Sequence, residues 1–297
     1  MLVALHLSNE YAAELRDFLD VVQQNQVMPA ELLLFSTDGP ATQTDVLRQS
    51  LAIIRHELPQ IRIGAGTNYN FTELNRNRFP TNGLNFISYA VHPQAHAFDN
   101  RSMVENLAGQ GDTVRTAQSF CGLASVQVSP VTLRHRLNPD ARDPANRILS
   151  NTEKIDPRQP SLWAAGWTLG SIKALAEAGA KSVTYYQTVG KQGIISEDAQ
   201  LYPLAVVLAQ VLEFQGGQVI PTKVNHPLAC SCLLLVQSDH RRWLLANHTD
   251  QPLSVQLPEP VRRGYRITPM PASIVPVELT DTQHISVEPF GVWVLEC

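Results

Sequence analysis

Short apolar runs alternate with amphipathic segments from the first residue to about residue 215. Most of these runs are apolar on both faces, which is typical of strands in a parallel sheet covered by helices. The segments between them carry apolar residues on one helical face. The pattern therefore predicts a βα unit repeated about six times, with strands at Leu2–Leu7, Glu31–Ser36, Ile61–Gly64, Phe86–Val91, Ser125–Val131 and Ser182–Gln187.

One predicted helix carries two tryptophans that bear on function. Pro160 is suited to open this helix and Gly179 to end it. Trp163 and Trp167 lie four residues apart on its apolar face, a spacing that favours core packing over a platform for stacking a sugar.

The composition changes near Gly216 and Gly217, where the helical pattern stops. Alternating runs separated by Pro, Asn and Asp follow, and they predict a small antiparallel β-domain. We predict a partial (β/α) barrel over residues 1–216 and a β-sandwich-like domain over 217–297. The predicted strands of the second domain are Cys230–Val236, Arg242–Ala246, Leu253–Leu257, Tyr265–Thr268 and Val292–Leu295.

About six βα units are too few for a (β/α)8 TIM-type barrel. An open barrel exposes two sheet edges, and each buried backbone group without a partner costs about 1–3 kcal/mol. Three expectations stay open. The chain is the C-terminal part of a larger protein, it self-associates through the gap, or it forms a smaller doubly wound sheet.

Composition excludes several classes of partner. Of 297 residues, 17% are charged and the net charge is -4, so no basic surplus attracts nucleic acid. The apolar start at Met1–Leu7 is too short for a secretory signal, and no run approaches the roughly 20 apolar residues that span a bilayer. We expect a cytoplasmic protein without membrane contact.

The four cysteines, Cys121, Cys230, Cys232 and Cys297, are expected to be free thiols. They include no C-x-x-C pair and no zinc-site spacing. Cys230 and Cys232 would lie on the same face of one strand, where a disulfide fits poorly.

Polar residues follow three of the predicted strands. These segments are Gly66–Arg76, His92–Asp99 and Thr132–Pro139. Because the carboxyl ends of parallel strands lie at one edge of the sheet, these side chains are predicted to share one pocket, where α/β enzymes usually keep their chemistry.

These segments and several others resemble the D-apionate lactonase family. The similarity runs in order from near residue 1 to the C-terminus. The stretches that carry it are Gly64–Thr67, Asn70–Arg76, Val91–Asp99, Ser129–Arg134, Asp156–Gln159, Trp167–Ser171 and Ser182–Tyr186.

The resemblance implies a (β/α)8 barrel with a small β-domain and hydrolysis of a sugar lactone in apiose catabolism. It implies a small-molecule sugar lactone or sugar acid as partner. It covers about the C-terminal half of a typical member, which agrees with the expected shortage of strands. Where the family pattern leads us to expect a Glu after the Tyr185–Tyr186 pair, this chain has Gln187.

Lactone hydrolysis needs a water-activating group, a donor that stabilises the oxyanion and an acid for the ring oxygen. Glu73 is our first candidate for base or acid. Its alternative role is a first-turn carboxylate that complements a helix dipole. His92 and His96 are candidates for proton carriers because imidazole titrates near neutral pH.

The remaining candidates are predicted to bind substrate. Arg76, Arg134 and Arg136 present guanidinium forks that suit a carboxylate or carbonyl, although loop-anchoring ion pairs are their alternative role. Asn70, Asp99, Tyr186 and Gln187 complete the predicted set of substrate-binding residues.

No cofactor or metal is predicted. His92 and His96 are four residues apart, but Pro93 argues against a regular helix across them and no third ligand is evident. Gly64 and Gly66 lack the rest of a dinucleotide fingerprint.

Two other functions stay open. A barrel-type glycoside hydrolase is favoured by the three-strand separation of Glu73 and position 187, but it needs a second carboxylate that Gln187 does not supply. A truncated or inactive paralogue that binds sugar acids is favoured by the same substitution. The polar loop from Asn138 to Pro160 is predicted to be a lid or binding element.

Overall fold

A parallel sheet with helices between its strands forms the first part of the fold. The computed structural model describes residues 1–138, 141 and 148–297. Within these residues six parallel strands pair in the order β1-β2-β3-β4-β5-β6. They are β1 (Leu2–Leu7), β2 (Glu31–Ser36), β3 (Arg62–Asn70), β4 (Phe86–Val91), β5 (Ser125–Val131) and β6 (Ser182–Tyr185).

Six α-helices accompany this sheet in the described part of the chain. They are α1 (Tyr11–Asn25), α2 (Thr44–Glu57), α3 (Phe71–Arg76), α4 (Asn100–Gln118), α5 (Leu162–Glu177) and α6 (Pro203–Leu212). A short pair, β7 (Gln187–Val189) and β8 (Gly193–Ile195), separates β6 from α6. The predicted α/β fold with about six βα units is confirmed by this architecture.

The central strands are buried because layers cover both of their faces. All six residues of β4 are buried. In β1 and β6, at the two edges of the sheet, exposed residues alternate with partly buried ones along most of each strand. Strands β2 to β5 therefore form the buried centre of the sheet, and the first and last strands are more exposed to solvent.

Two predicted strand ends were wrong. The third strand continues past Gly64 to Asn70, with a register irregularity between Gly66 and Asn70. The sixth strand stops at Tyr185, because Tyr186 has a left-handed φ of 54° that ends the extended run, and Gln187 begins β7 instead.

The second part of the fold is antiparallel, as predicted. One sheet has the order β14-β13-β16-β11-β10-β9, and β12 pairs with β15. The predicted pattern missed β9, β14 and β15. The strands are β9 (Gln218–Ile220), β10 (Cys230–Gln237), β11 (His240–Asn247), β12 (Leu253–Gln256), β13 (Arg263–Ile267), β14 (Ile274–Val277), β15 (His284–Val287) and β16 (Val292–Glu296).

Helix α5 joins the two parts. It begins at Leu162, two residues after Pro160, and the Ser161 hydroxyl caps it by accepting from the Ala164 N–H. Trp163 and Trp167 are buried, so the predicted core role is confirmed. One apolar core runs from the parallel sheet through α5 to residues of β10, β11 and β16. The division at residue 216 stays a prediction.

The described residues contain no helix that is both long and apolar enough to cross a membrane.

A glycine in α5 should be essential for this packing. An added Cβ at Gly170 would lie 2.6 Å from a Leu107 methyl carbon and 2.8 Å from the Ser231 hydroxyl oxygen. Gly170→Val is therefore expected to lower the free energy of unfolding by about 1–3 kcal/mol through overpacking. The measurement is the urea midpoint.

Gly109 in α4 is the matched control, because an added Cβ there meets no atom within 4 Å. Gly109→Val is expected to leave stability unchanged or slightly higher, since Val is a better helix former than Gly. Equal loss of stability in the two variants would contradict close packing at Gly170.

Candidate active site

The carboxyl ends of β1, β2 and β3 enclose the larger of two cavities at this edge of the parallel sheet. We call it the main rim cavity, and its volume is about 410 Å³. This lies within the range of about 300–1,000 Å³ that is usual for small-molecule sites. Its described lining residues are His6, Phe35, Ser36, Thr37, Gly39, Pro40, Ala41, Gly66, Thr67, Asn68, Tyr69, Leu137 and Ile148.

A second cavity lies at the ends of β5 and β6. We call it the small rim cavity, and its volume is about 90 Å³. Its described lining residues are Pro130, Thr132, Leu133, Arg134, Arg136, Lys154, Gln159, Tyr186, Gln187 and Gln192. Three of these side chains are cationic and none is acidic.

A hydrogen-bonded pair connects the two cavities. The Arg136 guanidinium, from the wall of the small rim cavity, donates to the side-chain oxygen of Asn68, which lines the main rim cavity. Its Nη2 also lies 3.4 Å from the Asn68 carbonyl oxygen. Burial lowers the pKa of Arg136 from its ordinary value, so the protein holds this charge at an energetic cost.

His92 lies at the end of β4 as a neutral imidazole. Its Nε2 is 2.9 Å from the Asn70 side-chain nitrogen, and its ring meets the His135 ring edge-on at 5.2 Å. Burial, followed by the charges of His135 and Arg136, lowers the pKa of His92 to about 3. At neutral pH His92 is therefore suited to hydrogen bonding, and it is a poor proton acceptor.

Asp156 organises the loop side of the site. Only 2% of this residue is exposed, and its carboxylate accepts from Gln94 at 2.6 Å and from Arg158 at 2.7 Å. The Arg134 Nε lies 3.5 Å from the same carboxylate. Burial alone would raise the pKa of Asp156, but the hydrogen bonds of Arg158 and Gln94 lower it overall. Asp156 thus stays ionised, and its negative charge lies close to the Arg134 guanidinium.

Glu73 is buried in the first turn of α3, with 9% of the residue exposed. It follows Asn70, the N-cap of this helix and the partner of His92, by three residues. Glu73 itself does not line either rim cavity. The structure therefore places this carboxylate in the helix that Asn70 caps, outside the described lining of both cavities.

Tyr186 and Gln187 both line the small rim cavity. The Tyr186 hydroxyl lies 2.7 Å from the Thr168 hydroxyl, and burial raises its pKa well above the usual range. Tyr186 therefore contributes a neutral side chain, held by this hydrogen bond, to the wall of the cavity. Gln187 is exposed at the start of β7, and its backbone N–H donates to the Gln192 carbonyl at 3.2 Å.

Three predicted site residues lie on exposed surface. His96 is exposed in the loop after β4, and Arg76 is exposed in the last turn of α3. Asp99 is exposed and caps α4, where its carboxylate accepts from the Ser102 N–H at 2.9 Å. The structure does not bring these three into the lining of the rim cavities.

Sequence reasoning missed several residues of the rim. Asn68 and Lys154 line the cavities, and Gln94 and Asp156 form the buried network behind Arg134. Asp156 lies in one of the stretches that resemble the family, two residues before Arg158. This proximity of an acid to an arginine was the sequence signal that could have identified it. Residues 139, 140 and 142–147 of the predicted lid lie outside the described residues.

No group of three or more His, Cys, Asp or Glu side chains that could hold a metal ion occurs among the described residues.

Comparison with known proteins identifies the family of this chain. Residues 1–216 match the family model described as D-apionate lactonase, TIM barrel domain. The chain belongs to the D-apionate lactonase family. A curated member, the D-apionate lactonase of Brucella anthropi, is 25% identical over 224 residues. That match covers 71% of this chain and 36% of the relative, so it spans about a third of that protein's length.

Solved structures agree on the fold of this family member. An arabinofuranosidase has a TM-score of 0.63 at 12% identity, with 85% of this chain and 61% of that chain covered. An α-L-arabinofuranosidase from Thermotoga maritima scores 0.59 at 12% identity, with the same coverage. A GH30 endoxylanase from Clostridium papyrosolvens scores 0.56 at 10% identity, over 97% of this chain and 70% of that chain. At this identity the likeness shows the TIM-barrel fold alone.

Protonation of His92 should destabilise this family member in acid. Its pKa is about 3 when folded against an ordinary 6.5, so stability is complete above about pH 6.5 and is lost as the pH falls toward 3. One such group changes the free energy of unfolding by at most about 1.4 kcal/mol per pH unit. His92→Gln should therefore show a shallower decline of the urea midpoint between about pH 6 and 4 than the wild type.

His226→Gln is the control for this titration, because His226 is exposed. Its decline with pH should match that of the wild type. A His92→Gln profile parallel to both would contradict a buried neutral imidazole at position 92.

Removal of the Asp156 charge should be costly. Asp156→Asn leaves Arg158 and Arg134 without their buried carboxylate, and breaking such a pair costs about 3–5 kcal/mol. Asp112→Asn, which breaks an exposed pair with Arg115, should change the urea midpoint little. Similar midpoints for the two variants would show that Asp156 does not anchor the loop.

Proposed function

We propose that this protein hydrolyses a sugar lactone to the sugar acid, with D-apionolactone as the first substrate to test. The observation that carries the proposal is the family match over residues 1–216. It is supported by the polar rim, where guanidinium, imidazole and amide groups from successive strand ends line adjoining cavities. Strand ends are where barrel enzymes hold their catalytic groups.

The reaction sets the requirements for the site. Water gives a proton to a base as its oxygen attacks the lactone carbonyl carbon, which becomes tetrahedral while the carbonyl oxygen becomes an oxyanion. The bond from this carbon to the ring oxygen then breaks, the ring oxygen takes up a proton to become a hydroxyl, and the new carboxylic acid ionises at neutral pH. The oxyanion needs positioned donors. Arg134 and Arg136 supply guanidinium donors at the small rim cavity, and they also suit the product carboxylate.

Glu73 is the proposed water-activating carboxylate. Its burial in the first turn of the helix that Asn70 caps is the supporting observation. His92 acts as a neutral hydrogen-bonding group in this proposal, held by Asn70. The exposed His96 remains the alternative proton carrier, since it lies on the loop that follows the same strand as His92.

A barrel glycoside hydrolase is the second candidate, since the solved structures of similar fold include arabinofuranosidases. Such enzymes use a pair of carboxylates that flank the scissile bond. Neither rim cavity has an Asp or Glu among its described lining residues, and position 187 is an amide. The amide at position 187 argues against a glycosidase that needs a carboxylate pair, whereas the proposed hydrolysis uses the single carboxylate of Glu73. Because Gln187 replaces the Glu of the family pattern, a paralogue that binds sugar acids without activity is the third candidate.

Acid release from D-apionolactone and related aldonolactones, followed by pH-stat at about pH 7, tests the proposal. The wild-type protein should accelerate opening above the spontaneous rate. Glu73→Gln should lower kcat by about 10²–10⁴-fold, the usual contribution of a general base. Glu105→Gln, in an exposed pair with Arg101 on α4, should retain wild-type turnover.

The rivals predict other outcomes. No acceleration by the wild type, or equal turnover by Glu73→Gln and Glu105→Gln, would reject the proposed mechanism. Turnover of chromogenic arabinofuranosides or xylosides without lactone opening would favour the glycosidase. Activity that appears only in Gln187→Glu would favour the inactive paralogue.

A further inference from the structure

Most partly buried cations of the described chain pair with a carboxylate, although Arg55 donates only to neutral acceptors, the Ile61 and Gly83 carbonyls and the Asn85 side chain. Arg242 pairs with Glu213 at 2.6 Å and with Glu296 at 2.7 Å. Lys173 pairs with Glu177 at 2.6 Å, and Arg158 pairs with Asp156 at 2.7 Å. A carboxylate therefore neutralises each of these partly buried charges.

Arg136 and Lys154 are the exceptions that line the small rim cavity. Among the described residues no carboxylate lies within 4 Å of either cation, and Arg136 bonds only to the neutral Asn68. Arg134, the third cation, shares the single carboxylate of Asp156 with Arg158. The described wall of the cavity thus carries three positive side chains. The buried carboxylate of Asp156 is already shared by Arg134 and Arg158.

The other polar side chains of this wall are neutral. Gln159 is committed to the Gly193 carbonyl at 2.8 Å, and Tyr186 is committed to Thr168. Gln187 and Gln192 offer amides at the opening. A concave surface lined by cations and neutral amides raises the local concentration of anions.

Size indicates which anion fits. A volume of about 90 Å³ accommodates a group of a few atoms, whereas the adjoining main rim cavity of about 410 Å³ accommodates a sugar-sized body. The Arg136 to Asn68 contact lies between them. A planar carboxylate matches the guanidinium fork and can accept two parallel hydrogen bonds.

We propose that the small rim cavity is a carboxylate subsite, in which Arg136, Arg134 and Lys154 hold the acid group of an open-chain sugar acid whose hydroxylated body lies in the main rim cavity. The choice of a sugar acid rests on the proposed function, because opening the lactone creates this carboxylate. The subsite makes the product a competitive inhibitor and requires no chemical step of its own.

Isothermal titration calorimetry of the full chain with sodium D-apionate and sodium D-gluconate tests the subsite. D-glucitol, which lacks the charge, serves as the neutral ligand. The aldonates should bind and glucitol should bind at least tenfold more weakly. Aldonate binding should also weaken when NaCl is raised from about 0.05 to 0.5 M, because salt screens the charges of cations that are only partly buried.

Arg136→Gln should weaken aldonate binding about tenfold or more, the equivalent of about 1.4 kcal/mol. Arg115→Gln, which removes an exposed arginine of α4, should bind as the wild type does. Lys154→Gln is the second variant, because Lys154 makes no ion pair among the described residues and its loss should not impair folding; it should weaken binding about threefold to tenfold. Circular dichroism establishes that each variant is folded.

Equal affinity for gluconate and glucitol, absence of aldonate binding to the wild type at millimolar concentration, or unchanged binding by both cavity variants would overturn the subsite. Lactone turnover separates this result from the proposed function. Aldonate binding without turnover would retain the subsite and reject the lactonase, whereas turnover without inhibition by aldonate would do the reverse.

Discussion

In a parallel sheet all strands point the same way, so their pairing register decides which loop residues can meet. Leu7 is paired with Ser36, Val91 with Val131, and Val131 with Tyr185. The chain leaves the sheet immediately after these residues at one common edge. Side chains from segments that are far apart in sequence therefore face the same two cavities. The composition of both cavities depends on that register.

The rim combines this geometry with an uneven distribution of charge. Asp156 is buried and ionised because Arg158 and Gln94 bond to its carboxylate. One carboxylate cannot also neutralise Arg136 and Lys154, which line the small rim cavity without a described acidic partner. Folding alone does not favour burying such charges. An anionic ligand would supply a compensating negative charge that the described residues do not provide.

The regular elements could be predicted from the sequence more readily than the lining of the rim cavities. Apolar runs in the centre of the sheet gave exact ends for β4 and β5, since burial on both faces leaves a continuous apolar signal. Strand β14 was missed because it contains Pro276 and alternates exposed with partly buried residues. The left-handed turn at Tyr186 carries no local signal, because tertiary contacts impose it.

The residues that line the two cavities are harder to predict, for a related reason. A motif identifies which residues follow a strand, but it does not say which of them turn toward the cavity. Within one segment, His92 is largely enclosed beside Asn70 while His96 is exposed. Asp99 caps the N-terminus of α4, so its carboxylate accepts a hydrogen bond from the helix backbone. Asp156 lies 62 residues from Gln94 in the chain, so no spacing rule relates the two.

The amide at position 187 gains a physical meaning from this distribution of charge. A Glu there would add a negative charge to the wall that holds Arg134, Arg136 and Lys154, and it would compete with a ligand carboxylate for the same guanidinium donors. A Gln keeps hydrogen-bonding capacity without that competition. A paired-carboxylate site needs a negative charge at this position, whereas a cavity that holds an anion needs its absence. The observed Gln meets the second demand, and it departs from the Glu that the family pattern leads us to expect there.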